Sequence, residues 1–195
     1  MNGLSIEQEV KRYLEQSGLR YVDNTTAFDA LDFTILAQEG AAFYLEVKEK
    51  RQAYNAANWP AFAPEINLLI LDDLTVRKCL GYAPRAGVLV RDNQQARYHF
   101  FSVIDLALMP RLRVNRPIQR TVDDWKGKWL VNLQNGVQAS TLEEIFAHMR
   151  TYVASLPAIL GERHACYGDY VDEAIGSGGI VRRGVHWTTD IEATR

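Results

Sequence analysis

The feature that most constrains this chain is the segment LDFTILAQEGAAFYLEVKEK, residues 31–50, in which two stretches of alternating apolar and polar residues flank a short loop. Alternation with a period of two is typical of β-strands that bury one face. The loop fits the three residues 38–40, because Gly40 accepts the positive φ that such a hairpin loop requires. We therefore predict a β-hairpin in which Ala37 pairs with Ala41.

In this register Asp32 lies directly opposite Glu46. Directly opposed side chains share one face, with Cβ atoms about 4.5–5.5 Å apart, and Lys48, two residues beyond Glu46, points to that face as well. The alternate positions carry an apolar set that we expect to face the core: Leu31, Phe33, Ile35, Phe43, Leu45 and Val47. Because opposed carboxylates repel each other, the polar face needs a cation or ample solvent. Oxygen ligands favour Mg²⁺, which takes one or two carboxylates and keeps several waters.

The composition limits the class of protein. With 195 residues, 47% of them apolar, the chain is long enough for one well-buried core. No apolar run approaches the ~20 residues that cross a bilayer, and the N-terminus lacks the pattern of a signal peptide. With Cys79 and Cys166 as its two cysteines, we expect a cytoplasmic protein without a disulfide framework or a membrane partner. A net charge of −2 argues against avid nonspecific coating of DNA but leaves room for local basic clusters.

The remaining patterns predict an α/β architecture. Ser5 and Gln8 form a capping box that opens a helix, and Gly18 closes it. Weaker patterns of the same kind follow in chain order: a strand at 20–22, a strand at 66–71, a helix from Asp72 or Asp73 to about Gly81, a hairpin of 88–91 with 97–101, a strand at 129–133, and a helix from a Ser140–Glu143 capping box to about Ala154. This order predicts a mixed sheet flanked by helices. We expect one domain over residues 1–156, with its core in 5–91, and a C-terminal extension over 157–195.

An Asp at the start of one strand, followed by Glu-x-Lys on the next, resembles the PD-(D/E)xK nuclease superfamily; here these residues are Asp32 and Glu46-Val47-Lys48. The family core is a helix, a three-strand antiparallel meander, a second helix and a further strand, which is similar to the order predicted over residues 5–91. Glu7 precedes Gly18 by eleven residues, as a helix Glu precedes a Gly in the archaeal Holliday-junction resolvases of this superfamily. The resemblance implies a restriction-endonuclease-like fold with a central mixed sheet.

The resemblance also implies an activity, that of a Mg²⁺-dependent endonuclease that hydrolyses phosphodiester bonds in DNA, with Mn²⁺ as a substitute metal. It assigns the metal to four residues: Asp32, Glu46, the backbone carbonyl of Val47, and Glu7, directly or through water. Lys48 would position or deprotonate the attacking water and stabilise the charge of the transition state. Two alternatives stay open, Glu9 in place of Glu7 and Asp29 in place of Asp32, and so do the number of metals and the choice between DNA and RNA. Many relatives dimerise, so a homodimer is implied as well.

Basic residues give candidate contacts to nucleic acid. Arg111, Arg113 and Arg116 alternate with other residues just after Pro110, and Arg51 follows the Glu-x-Lys motif. Lys and Arg side chains that neutralise phosphates supply much of the affinity of such contacts, so we predict that these four arginines bind DNA. Two other functions fit the same sequence: a nucleic-acid-binding module on this fold that does not cut, and an interaction protein with an exposed acidic hairpin.

Overall fold

The computed structural model of the chain describes residues 4–36, 41–117 and 125–172, without the side chains of residues 56, 117, 125 and 160–172. By its packing the chain divides into two compact units, Met1–Thr151 and Tyr152–Arg195. The helices and strands are α1 (Ile6–Gln16), β1 (Arg20–Asp23), β2 (Phe33–Leu36), β3 (Phe43–Lys50), β4 (Leu68–Asp72), α2 (Asp73–Gly81), β5 (Ala86–Asp92), β6 (Arg97–Ser102), α3 (Val103–Leu108), β7 (Leu112–Pro117), β8 (Trp125–Asn132), β9 (Val137–Ala139) and α4 (Leu142–Asp172). Within the described ranges, no helix is both long enough and apolar enough to cross a membrane.

Helix α1 forms as its sequence predicts. The Ser5 hydroxyl accepts a hydrogen bond from the Gln8 backbone N–H, and the Gln8 side chain accepts one from the Ser5 N–H, which completes the capping box. Apolar residues at helical spacing are fully buried on one face of the helix: Ile6, Val10 and Leu14. The chain leaves the helix through Gly18, whose φ of +64° lies in the left-handed region that glycine adopts readily.

A six-stranded mixed sheet forms the centre of the fold, in the order β1-β2-β3-β5-β6-β9. Strands β1, β2 and β3 form an antiparallel meander, and β5, which follows α2 in the chain, lies parallel to β3. Strands β6 and β9 extend the sheet in antiparallel pairing. The succession of helix, antiparallel meander, helix and parallel strand is that of a restriction-endonuclease-like core. The predicted mixed sheet flanked by helices is therefore confirmed.

A second sheet of three antiparallel strands has the order β4-β8-β7. Its first strand is the one predicted at 66–71, but it pairs with β8 and does not join the central sheet. Strand β7 covers the arginine-rich stretch after Pro110, which the sequence analysis did not identify as a strand. Helix α3 was not predicted either, although Ser102 and Asp105 form a capping box at its start.

Both faces of the central sheet are covered. Helices α2 and α3 and part of the second sheet pack with Val88 and Val90 of β5 in the main apolar cluster. The residues that alternate with them are buried too, and α1 packs against β1 and β3. Because Glu46 pairs with Val88 and Lys48 with Val90, the two charged residues share a face with this cluster. Their surroundings are therefore a covered edge of the core, where charges interact more strongly than in bulk water.

The apolar set predicted for the hairpin is buried, with Ile35 half-buried. Leu31 differs from the rest, because it packs in the main cluster that lies on the face of Glu46. A bend at Asp32 precedes the start of β2 at Phe33, so the strict alternation of the strand does not extend back to Leu31. This bend also decides how the Asp32 side chain meets β3.

Helix α4 begins one residue later and ends much later than predicted. Its capping box is formed by Thr141, whose hydroxyl accepts from the Glu144 N–H, while the Glu144 carboxylate accepts from the Ser140 and Thr141 N–H groups. The predicted Ser140–Glu143 pair was therefore wrong by one position. The helix continues past Ala154 and through Pro157 to Asp172, although proline removes one helical hydrogen bond. The domain boundary expected at residue 156 stays a prediction.

Candidate active site

The hairpin has the predicted register, with Phe33 of β2 opposite Leu45 of β3. Asp32, one residue before β2, reaches β3 through its side chain: its Oδ2 accepts a hydrogen bond from the Val47 backbone N–H at 2.8 Å. This bond holds the half-buried carboxylate beside the segment that carries the Glu-x-Lys motif. The loop residues 38–40, on which the hairpin prediction was based, lie outside the described residues.

Glu46 and Lys48 form an ion pair on the same face of β3. The Lys48 ammonium donates to Glu46 Oε1 at 2.5 Å. The Glu46 side chain is 7% exposed, whereas that of Lys48 is 36% exposed. Glu46 is therefore the buried end of the ion pair and Lys48 the end exposed to solvent. A ligand that comes from solvent can contact Lys48.

The carboxylate of Asp32 is held in an unfavourable environment. Burial raises its pKa from 3.8 to about 6, and the charge of Glu46 acts in the same direction. The Val47 N–H and the charge of Lys48 offset part of this effect. Two acids that lie close together in a half-buried site, with the pKa of one raised, are stabilised by any cation that binds between them.

The ammonium of Lys48 stays charged at neutral pH. Burial disfavours its charged form, but the negative charges of Glu46, Asp32 and Asp72 outweigh burial and raise the pKa of Lys48. A lysine that acts as a general base needs a lowered pKa. This environment therefore suits Lys48 to binding an anion or stabilising negative charge.

The two candidate helix acids differ in what they contact. Glu7 lies in the first turn of α1, and its charge is among those that raise the pKa of Asp32, so it faces the site. Glu9 instead accepts hydrogen bonds from Arg91 Nη1 at 2.6 Å and from the Tyr98 hydroxyl. Of the two alternatives, the geometry therefore favours Glu7.

Asp29, the alternative to Asp32, is exposed. The register places Asp32 beside the Glu46–Lys48 pair, and Asp29 precedes β2 by four residues. The geometry therefore favours Asp32 over Asp29.

The donor set suits a hard divalent cation that keeps most of its waters. In the described parts of the chain, no group of three or more His, Cys, Asp and Glu side chains is close enough to hold a metal ion. Asp32 and Glu46 supply two carboxylates, which is the number of protein ligands that Mg²⁺ often takes. Glu7 lies near them but does not complete a three-carboxylate group, so any part it plays would run through water.

The predicted DNA-binding arginines lie in two places and differ in their partners. Arg51 is exposed at the end of β3 and its Nε donates to Glu49 at 2.8 Å. Arg111 stacks on the Trp129 ring with its guanidinium carbon 4.6 Å from the centroid, and Arg116 stacks on Trp59 at 4.3 Å.

Arg113 is the most constrained of the four. Its Nε donates to Asp73 Oδ1 at 3.0 Å, and the same carboxylate accepts from Trp129 Nε1 at 2.6 Å and from Arg77 at 2.7 Å. The Cβ of any residue larger than glycine at Gly127 would lie 2.8 Å from Asp73 Cβ, so glycine leaves the room that this cluster needs. The charge of Arg113 therefore already has a partner within the fold.

Sequence reasoning did not find a further polar group beside the site. Asp72, at the end of β4, makes no capping bond to α2; its Oδ1 instead accepts from Lys128 and lies 3.4 Å from Lys126 Nζ. Its charge also raises the pKa of Lys48. The available signal was the Lys-x-Lys spacing at 126–128, which puts both lysines on one face of a strand.

Comparisons with known proteins find similarity to solved structures alone. No protein-family model matches the chain, and no curated protein matches it. Among solved structures, it resembles the Holliday junction resolvase Hjc of the archaeal hyperthermophile Archaeoglobus fulgidus, with a TM-score of 0.39 and 13% identity over 67% of this chain and 93% of that one. It also resembles a nuclease from a fusselovirus, with a TM-score of 0.42 and 8% identity over 76% of this chain and 88% of that one. The fold assignment rests on the topology and register of this chain.

Proposed function

We propose that this chain is a nuclease that hydrolyses phosphodiester bonds in DNA with the help of a divalent metal, Mg²⁺ or Mn²⁺. The observation that supports this most is the convergence of Asp32 and Glu46, with Lys48 beside them, at one half-buried place where the Asp32 side chain reaches the interior strand β3. Two acids and a lysine in this arrangement fit the pattern that the sequence shares with PD-(D/E)xK nucleases.

Asp32, Glu46 and the carbonyl of Val47 would hold the metal, with Glu7 acting through water. When bound, the metal would lower the pKa of a coordinated water and neutralise charge on the phosphate. The protein's part is to orient both carboxylates and to favour the ionised form of Asp32. The Val47 N–H serves this purpose, because it is hydrogen-bonded to Asp32 and favours the charged form of that acid.

Lys48 would position the attacked phosphate and stabilise the negative charge that develops on it. Its ammonium is one-third exposed, so a phosphate oxygen can reach it without a rearrangement of β3. Its raised pKa keeps it protonated through neutral pH. Of the roles that the resemblance implies, we therefore assign to Lys48 the stabilisation of charge and not the removal of a proton from water.

The arginines would guide the nucleic acid to the site. Arg111 and Arg116 present their charges on tryptophan rings, and Arg51 is 77% exposed. Arg113, held by Asp73, would contribute less, since a phosphate has to compete with that carboxylate. A homodimer, the choice between DNA and RNA, and the boundary of the catalytic domain at residue 156 belong to the same proposal.

The test is cleavage of end-labelled single-stranded, duplex and branched DNA by the full chain in Mg²⁺ or Mn²⁺. Glu46→Gln and Lys48→Met should each lower the rate by about 10²-fold or more, in line with the loss of one charge-stabilising group. Glu49→Gln is the matched control, because Glu49 lies on β3 but pairs with Arg91 and Arg51 outside the site. It should keep the cleavage rate, whatever it does to stability. Undiminished cleavage by either site variant would refute the assignment.

Two measurements separate the proposal from the other functions that fit the sequence. A non-cutting nucleic-acid-binding module would bind labelled DNA but leave it intact with every metal. An interaction protein with an exposed acidic hairpin would show no heat in a calorimetric titration with Mn²⁺. The nuclease should give a heat of Mn²⁺ binding that Asp32→Asn abolishes.

A further inference from the structure

Lys126 and Lys128 lie on one face of β8, two residues apart, in the second sheet rather than in the sheet that carries the acids. Lys128 is the direct cross-strand partner of Asp72 and donates a hydrogen bond to its Oδ1. Lys126 Nζ lies 3.4 Å from the same oxygen. One carboxylate oxygen thus holds two ammonium groups, so the cluster keeps a net positive charge.

This cluster lies next to the site and is open to solvent. The charge of Asp72 acts on Lys48, and helix α2, which begins at the next residue, packs against β3. The Lys126 side chain is 47% exposed, that of Lys128 26% and that of Asp72 33%. An incoming anion can therefore reach both lysines from solvent.

The row of cations continues onto β7. Arg116 pairs with Lys126 across β7 and β8, so the two side chains share a face of the second sheet. Arg116 stacks on Trp59, which fixes its guanidinium without neutralising it. Lys48, Lys128, Lys126 and Arg116 thus follow one another from the acids of the central sheet outward along the second sheet.

We propose that Lys126 and Lys128 bind the phosphodiester backbone of the nucleic acid next to the phosphate that is cut, and that Asp72 occupies their binding position in the free protein. This inference rests on the proposed function, because it takes the Asp32–Glu46 site as the place of cleavage. When no phosphate is bound, the Asp72 carboxylate keeps the two ammonium groups close together. A phosphate has more acceptor oxygens, so it would replace Asp72 as their partner or share them with it.

The experiment measures the salt dependence of binding of a fluorescein-labelled duplex to the full chain by anisotropy, in EDTA so that nothing is cut. Each phosphate contact contributes about 0.9 to the slope of log K against log salt. Lys126→Ala and Lys128→Ala should each reduce the slope by about that amount, and the double variant by about 1.8. The double variant with Lys126→Arg and Lys128→Arg should keep the wild-type slope, because it keeps both positive charges.

Lys11 provides a matched control. It forms an ion pair with Asp23 at 3.2 Å with side-chain exposures of 47% and 33%, the same two values as for Lys126 and Asp72. Lys11→Ala should therefore leave the slope unchanged, although it removes the same charge from an equally exposed pair. Asp72→Asn should tighten binding, because the lysines lose their competing carboxylate; a merely structural Asp72 would weaken it.

The outcomes are distinct from those for the proposed function. A wild-type slope in the double variant, an equal loss in Lys11→Ala, or no DNA binding by the wild type would overturn the inference. If the wild type cuts DNA while the double variant keeps its slope, this inference fails and the nuclease stands. If binding depends on the lysines but no metal supports cleavage, the nuclease fails and the binding role of the lysines stands.

Discussion

Replacing Asp32 by Asn should make the metal-free protein more stable at neutral and alkaline pH. Burial and the nearby charge of Glu46 raise the pKa of Asp32 from 3.8 to about 6. At 1.36 kcal/mol per pKa unit, the ionised form costs the folded state about 3 kcal/mol. Asn removes this cost, and its side-chain oxygen can still accept from the Val47 N–H.

The pH dependence follows from the sign of the change. Because the folded pKa lies above the unfolded one, the folded state binds the proton more tightly between about pH 4 and pH 6. The stability linked to protonated Asp32 is fully present below about pH 4 and is lost as the pH rises through about 6. The advantage of Asp32→Asn should therefore be absent at pH 4 and complete at pH 8.

Urea unfolding in EDTA measures this difference. With an m-value of about 2 kcal/mol per M, the midpoint of Asp32→Asn should lie about 1–1.5 M above that of the wild type at pH 8. Asp29→Asn is the control, because Asp29 is an exposed acid in the same loop, and its midpoint should not move. A midpoint for Asp32→Asn at or below the wild-type value at pH 8 would refute the electrostatic reasoning.

The same pair of proteins tests the metal. A ligand at 100 times its Kd adds about 2.7 kcal/mol to the stability of the form that binds it. Mg²⁺ or Mn²⁺ should therefore raise the wild type to about the stability of Asp32→Asn, while the variant, which lacks one carboxylate ligand, gains little. Equal stabilisation of both proteins by metal would place the metal elsewhere.

Two further substitutions test the packing around the site. Lys50→Met should lower the free energy of unfolding by about 3–5 kcal/mol, because it leaves the buried Asp92 carboxylate, 3.8 Å from Lys50 Nζ, without its cation. The double variant Lys50→Met with Asp92→Asn should recover part of this loss. Equal urea midpoints of the single and double variants would contradict the pairing. Gly127→Ala should lower the free energy of unfolding by about 1–3 kcal/mol, because the new Cβ would lie 2.8 Å from Asp73 Cβ. An unchanged urea midpoint would show that the side chains around Asp73 move aside at little cost.

The parts of the site that were predictable are local in sequence. Period-two alternation predicts the pairing of β2 with β3, so the approach of Asp32 to the segment with Glu46 and Lys48 follows from residues less than 20 positions apart. Which face of the hairpin is covered by other elements was not predictable from the hairpin sequence. It depends on α2, α3 and the second sheet, whose residues cover the face of Glu46 with the main apolar cluster.

What the sequence did not disclose depends on distant pairing. Asp72 and Lys128 are 56 residues apart in the chain and meet because β4 pairs with β8. Nothing in either stretch specifies that partner, because β4 is a short apolar strand that fits a central sheet equally well. The two lysines of β8 fit any strand with one solvent-exposed face. The capping box of α4 illustrates a smaller error, because Ser140 and Thr141 are both good caps and local preference does not choose between them.

Strand β3 shows why the site lies where it does. A central strand covered on both faces is expected to be almost continuously apolar, yet β3 carries charges at four of its last five positions. Within the part of the chain that the structure describes, Glu49 is held by Arg91, Lys50 by Asp92, and Glu46 by Lys48.

Asp32, which joins this strand by its side chain, differs from these pairs. Its carboxylate accepts a hydrogen bond from the Val47 backbone N–H but forms no ion pair within the described residues. It also lies close to a second acid, Glu46. Such a local violation of good packing costs stability, by about 3 kcal/mol here, and proteins keep such violations mainly at functional sites. The unpaired charge at Asp32 is therefore the physical reason to expect a cation at this point of the fold.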